Sequence, residues 1–173
     1  MASTDLRARV ARVGFVPLSA TGFRHVAVGA DARSGLGAKI HGGRWNPPES
    51  WLTLYLGLSR ATVKAEWERA ARRQGLRLDD FLPRDLHEFD VDLGDALDLR
   101  SVERRRAVGL SERDVRAESQ DACRRIGMAV HALGAEGVAA PSATGEGEIL
   151  AIFLDQLRPT SRIEVRFVET WED

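Results

Sequence analysis

Gly42-Gly43-Arg44-Trp45-Asn46-Pro47-Pro48, read on through Leu52-Thr53-Leu54-Tyr55-Leu56-Gly57 to Glu66, sets an arginine on a turn, a tyrosine on the next strand and a carboxylate on the next helix. Paired glycines permit close backbone approach or positive φ, and paired prolines end regular structure and stiffen the loop. Beyond them the pattern alternates. Leu52, Leu54, Leu56 and Leu58 point toward a core, and Trp51, Thr53, Tyr55 and Gly57 point the other way. Tyr55 then stands between two small residues, either as the floor of a cleft or packed on the sheet with its hydroxyl satisfied nearby. Ser59 is predicted to cap a helix that runs to about Gly75, with Val63, Trp67, Ala70 and Ala71 as its apolar stripe and Lys64, Glu68 and Arg72 in water. Glu66 sits on the shoulder of that stripe, where a carboxylate is costly unless paired or used. It either forms an ion pair with Arg69 or Arg73, or is aimed into the Tyr55 cleft.

A chain of 173 residues is expected to fold as one domain, residues 1–173. Its 43% apolar and 29% charged residues are those of an ordinary soluble globule. No apolar run approaches the ~18 residues that span a membrane, and Met1-Ala2-Ser3-Thr4-Asp5 lacks the layout of a signal peptide. A lone cysteine, Cys123, leaves no internal disulfide, in keeping with the cytoplasm. A net charge of −1 argues against a general nucleic-acid coat. The basic runs Arg69, Arg72, Arg73, Arg77 and Arg104-Arg105-Arg106 read as solvated helix faces.

Outward from the central stretch, Thr4 to Val13 reads as a helix capped by Thr4 and stopped by Gly14. Phe23 to Val28 reads as a strand with Phe23, His25 and Ala27 on one face. Arg24 shares the other with Val26 and Val28, and either snorkels to an edge or reaches an anion across a cleft. Gly35-Leu36-Gly37-Ala38-Lys39, in a glycine-rich loop over 29–43, fails as a phosphate-binding fingerprint. Its spacing is wrong and no helix is expected after it. Downstream, His87, Phe89, Val91 and Leu93 mark a half-buried strand. Ser101–Ala107 and Ser111–Ala117 are short helices, and residues 119–133 form a longer one burying Ala122, Ile126, Ala129, Val130 and Leu133. Gly137–Ala140 is a short strand, Ile149–Leu154 a strand covered on both faces, and Ile163, Val165 and Phe167 alternate in a last strand. The fold class is α+β, a twisted sheet with flanking helices.

Metal-ligand spacing is absent: His25, His41, His87 and His131 are scattered and Cys123 has no thiol partner. Ser142 lacks a nucleophile-elbow context. Two arginines, a tyrosine, a carboxylate and a serine remain, a set suited to the N-glycosidic bond of NAD. Arginine forks suit its pyrophosphate, an aromatic ring its cationic nicotinamide, and a carboxylate the oxocarbenium-like centre formed on cleavage.

The Gly-Gly-Arg-Trp-Asn-Pro block, with Leu54-Tyr55-Leu56 and Ala65-Glu66 behind it, resembles the signature of RES-domain toxins over roughly residues 20–160. The naming arginine, glutamate and serine of that family fall on Arg24, Glu66 and Ser142. The resemblance implies an ADP-ribosyltransferase-like fold and a toxin that degrades NAD, by phosphorolysis or hydrolysis, or that transfers ADP-ribose to a protein. It implies no cofactor, NAD as substrate and inorganic phosphate as co-substrate. Its expected partner is an Xre-type antitoxin that covers the active site and supplies any link to nucleic acid, with self-assembly or assembly with that antitoxin. Carried over, Arg24 and Arg44 hold phosphates, Tyr55 stacks on nicotinamide, Glu66 stabilises the ribosyl cation and Ser142 lines the pocket. After Ser142 the family's asparagine-proline ending is replaced by Gly145-Glu146-Gly147-Glu148, so Glu146 and Glu148 read either as an exposed acidic loop or as a second candidate pair of carboxylates. A non-catalytic nucleic-acid-binding module is the alternative from another class.

Overall fold

The computed structural model describes residues 2–172; Met1, with which the reading of the leader began, and Asp173 lie outside it. Among the described residues, β1 (Val16–Ala27), β2 (Thr53–Gly57), β3 (Arg84–Asp98), β4 (Gly137–Pro141), β5 (Glu148–Phe153) and β6 (Arg162–Trp171) form one sheet in the order β1-β2-β5-β4-β3-β6. α1 (Ala2–Val13), α2 (Leu36–His41), α3 (Arg60–Arg73), α4 (Val102–Val108), α5 (Glu112–Arg116) and α6 (Asp121–Ala132) flank it, so the class is α+β as expected. β1 also pairs with β3, from Val16 opposite Ala96 to Ala27 opposite Arg84, and the sheet curls back on itself. The 15 residues of β3 make this possible. One edge carries β1, and the other carries β6 and then, at Ala96–Asp98, β4.

Curling creates two cores. One lies among the strands alone, around Leu18, Leu54, Leu56, Phe89, Leu150 and Ile152. The other lies between the sheet and the helices, around Trp45, Leu97, Ile126, Val130, Val138 and Phe153. Each large apolar side chain so buried contributes roughly 1.5–3 kcal/mol. Strands between the two cores are covered on both faces, and this is why β5 reads as an unbroken apolar run. It also corrects the reading of β2. Thr53 and Gly57 are buried alongside Leu54 and Leu56, and Leu52 lies outside the strand, 36% exposed.

Other boundaries shift for local reasons. α1 begins at Ala2, so Thr4 lies inside it rather than capping it; Gly14, at φ 76°, ends it as expected. β1 starts upstream of Phe23 because β3 pairs with it there, the Ser19 and Thr21 hydroxyls donating to Asp92 and Asp90. A six-residue helix, α2, begins at Leu36 inside the Gly35–Lys39 stretch, in the segment read as a loop. A register shift opposite Leu86 and His87 turns Phe167 out to 57% exposure. Leu133, 37% exposed, leaves the face that Ile126, Ala129 and Val130 bury on α6.

Of the basic run on α4, Arg106 is exposed as expected, but Arg104 and Arg105 are not on a solvated face. Arg105, 6% exposed, donates to the carbonyls of Leu99 and Arg100. Arg104 donates to the carbonyls of Asp98 and Gly14. Both latch the helix to the end of β3.

α6 fixes the loop that opened the sequence reading. A Cβ on Gly127 would lie 1.8 Å from the Trp45 carbonyl oxygen, so glycine is required where helix backbone meets loop backbone. Arg124 Nε donates to the Gly43 carbonyl at 2.9 Å.

Candidate active site

A cavity of about 440 Å³, within the range of small-molecule sites, opens between β1, β2, α3 and the 42–45 loop. Its wall includes Arg24, Arg44, Tyr55 and Glu66, which are far apart in sequence. Ser142 reaches the same place through a hydrogen bond to Glu66, its neighbour Ala143 lining the wall.

Glu66 is carried by α3. Ser59 caps this helix as predicted, its Oγ accepting from the Thr62 N–H at 3.0 Å, and Val63, Trp67 and Ala71 are buried. Ala70, expected in that stripe, is exposed at the cavity edge. Of the two readings of Glu66, the ion pair with Arg69 or Arg73 does not form: both arginines pair with Glu118 instead, and Glu66 lines the cavity. Glu66 Oε1 accepts from Ser142 Oγ at 2.6 Å. A hydroxyl has one proton to give, so the remaining contacts acquire a direction. Thr144 Oγ1, 2.6 Å away, must donate to Ser142, and Thr144 in turn accepts from the Glu146 N–H at 3.1 Å. The chain of donors ends on the carboxylate and fixes its rotamer.

Tyr55 contributes its ring to the wall, while its hydroxyl holds the loop. It accepts from the Trp45 N–H at 2.9 Å and donates to Asn46 Oδ1 at 2.8 Å. Burial pushes its pKa above the ordinary phenol value, with the Trp45 hydrogen bond and Arg124 opposing, so the hydroxyl stays protonated at physiological pH. Asn46, fully buried, completes the tie by donating to the Ala38 carbonyl at 2.8 Å. Sequence reasoning left Asn46 without a role, although its place inside the Gly-Gly-Arg-Trp-Asn-Pro block was legible; its burial is what the structure adds.

Neither Arg24 nor Arg44 is free in the manner of a surface cation. Arg24 Nη1 donates to the carbonyls of Ala32 and Ser34 at 2.8 and 2.7 Å, so it clasps the loop after β1 instead of snorkelling to an edge. Arg44 Nη2 donates to the Ala117 carbonyl at 3.0 Å, and its buried Nη1 has no protein partner among the described residues. Arg44 also borders the cavity, where its positive charge suits an anionic ligand. Glu146 is exposed, and Glu148 lies 3.6 Å from Arg100; neither lines the cavity.

The wall also holds His25 and Trp67, whose ring centroids are 4.5 Å apart, a pair the sequence did not single out. Burial, with Arg84 and Arg24 nearby, pushes the His25 pKa down to about 3. A histidine depressed from 6.5 binds fewer protons folded than unfolded, so its contribution is complete above pH 6.5 and is lost as pH falls toward 3. Between pH 7 and pH 5 denaturant titration should show a loss of about 2 kcal/mol from this group. His25→Gln should flatten that slope; an equal slope in the variant would assign the loss elsewhere.

With the geometry in view, the RES domain profile matches residues 17–172. This chain belongs to the RES domain family. Proteins named NAD(+) phosphorylase MbcT, from Mycobacterium bovis and from Mycobacterium tuberculosis, are each 34% identical to this RES domain over 153 residues, covering 87% of it and 82% of their own length. The crystal structure of the M. tuberculosis MbcT–MbcA toxin–antitoxin complex superposes with a TM-score of 0.81 at 30% identity, covering 94% of this chain and 91% of that one.

Proposed function

We propose that this chain is a toxin that degrades NAD by phosphorolysis, converting NAD and inorganic phosphate to nicotinamide and ADP-ribose phosphate. The observation that carries the proposal is a carboxylate, Glu66, held by a serine hydroxyl and left unpaired by its neighbouring arginines, in a cavity walled by guanidinium groups. The name of the relatives, NAD(+) phosphorylase, supports it.

In this reading the bond between nicotinamide nitrogen and ribose C1′ breaks, and its electron pair leaves with the neutral base. Phosphate oxygen forms the new bond at C1′. Glu66 stabilises the positive charge that builds on the sugar, and Ser142 keeps it aimed. Arg24 and Arg44 neutralise phosphates, and the Tyr55 ring faces the base. The 173 residues act as one unit in the cytoplasm. No helix among the described residues is long and apolar enough to cross a membrane. The partner is a cognate antitoxin that closes the cavity mouth, in line with the complex named for the solved relative.

Purified protein given NAD should release nicotinamide, measured by chromatography, in a phosphate-dependent manner, and the co-purified antitoxin should abolish it. Equal release without phosphate would make the reaction a hydrolysis, and label passing from NAD to a protein band would make it an ADP-ribosyl transfer. No release under any of these conditions would remove the proposal. The alternative of a nucleic-acid module is weakened in α4, because Arg104 and Arg105 are engaged with backbone carbonyls and Arg106 alone of the run is exposed.

A further inference from the structure

Among the described residues, two of the four cavity arginines meet an acid and two do not. Arg24 and Arg44 donate to backbone carbonyls. Arg69 and Arg73 share a single acid, Glu118, from the segment between α5 and α6. Arg69 Nη2 lies 2.9 Å from one Glu118 oxygen, and Arg73 Nε lies 3.2 Å from the other. One anion bridging two guanidinium groups is the contact that a phosphoryl group makes, with three oxygens where a carboxylate has two.

Their placement relates this pair to the reacting centre. Residues three and four apart lie on one helix face. Glu66, Arg69 and Arg73 therefore line one edge of α3, with the arginines beginning about one turn beyond the carboxylate. Arg69 Nη1 also donates to the Ala143 carbonyl at 3.1 Å, next to the Ser142 that holds Glu66. Glu118, in contrast, is 71% exposed, against 17% for Arg69 and 45% for Arg73. Such an exposed partner is held weakly and is readily exchanged.

We propose that Arg69 and Arg73 form a phosphoryl-binding subsite and that Glu118 is the internal anion which the ligand displaces. The group bound is either inorganic phosphate or the pyrophosphate of the dinucleotide. The subsite rests on the reading of the cavity as the NAD site, yet it is testable without turnover.

Calorimetric titration with inorganic phosphate and, separately, with ADP-ribose tests it. Arg73→Ala, which removes no backbone contact, should weaken the bound species about fivefold or more. Glu118→Gln should tighten it about threefold by removing the competing charge. Arg72→Ala, exposed on the same helix, serves as the control and should leave both affinities unchanged. Shifts in phosphate alone assign the subsite to the attacking phosphate, and shifts in ADP-ribose alone assign it to the dinucleotide. Wild-type protein that binds neither ligand overturns the subsite. So do affinities that move in neither variant, or that move as much in Arg72→Ala. If nicotinamide is released while the affinities fail to shift, only the subsite falls. If the shifts appear and no nicotinamide is released, only the phosphorylase reading falls.

Discussion

Glu66→Gln is expected to lower kcat for nicotinamide release by about 10²–10³-fold while leaving the KM for NAD within a few-fold. Glutamine keeps the shape of the side chain and an oxygen able to accept from Ser142, so the cavity keeps its geometry. It lacks the negative charge. That charge acts chiefly on the ribosyl cation of the transition state, which is why the loss falls on kcat rather than on substrate binding. A preformed hydrogen-bond chain from the Glu146 N–H through Thr144 and Ser142 means that little reorganisation is needed when charge develops. Steady-state kinetics with chromatographic detection measures both constants, and an unchanged melting temperature shows that the fold survived. Wild-type kcat in this variant would move the chemistry to another group.

Tyr55→Phe should destabilise the protein by about 2–4 kcal/mol. The variant keeps the ring and deletes the hydroxyl, leaving the Trp45 N–H and Asn46 Oδ1 without their partner, at about 1–3 kcal/mol for each buried group. For a chain of this size that corresponds to a fall in melting temperature of roughly 5–15 °C by scanning calorimetry. Arg44 sits beside these two residues, so a loosened loop should also raise the KM for NAD. A melting temperature within a degree or two of wild type would mean that the hydroxyl does not hold the loop.

Several of these features were legible in the chain. The Gly42–Pro48 loop, the Ser59 cap and the stripe of α3 are local, and each follows from residue chemistry within a few positions. The order of the strands and the apolar run of β5 carried enough pattern to give an α+β sheet. What failed was reading faces. Alternation along β2 implied one buried face because a sheet was imagined flat, whereas pairing of β1 with β3 curls it and buries both. Glu66 could be read either as ion-paired or as facing the cleft, and a distant residue decided between the two. The position of Glu118, far along the chain, decided which acid the two arginines met. Arg104, which donates to the distant Gly14 carbonyl, and the fully buried Glu136, which accepts from the N–H groups of Gly94 and Asp95, are charged residues whose partners no sequence window contains.

The amino-acid sequence alone determined most of the elements, their order and the residue types able to act on an N-glycosidic bond, because capping, periodicity and loop chemistry operate over a few residues; α2 and the start of β1 escaped it. The tertiary structure decided which of those residues share a cavity, which arginines are already engaged and which acid stays free. Those outcomes depend on long-range pairing, on β1 meeting β3 and on α6 backbone meeting the 42–48 loop, where contacts are set by packing between segments with no neighbouring positions in the chain.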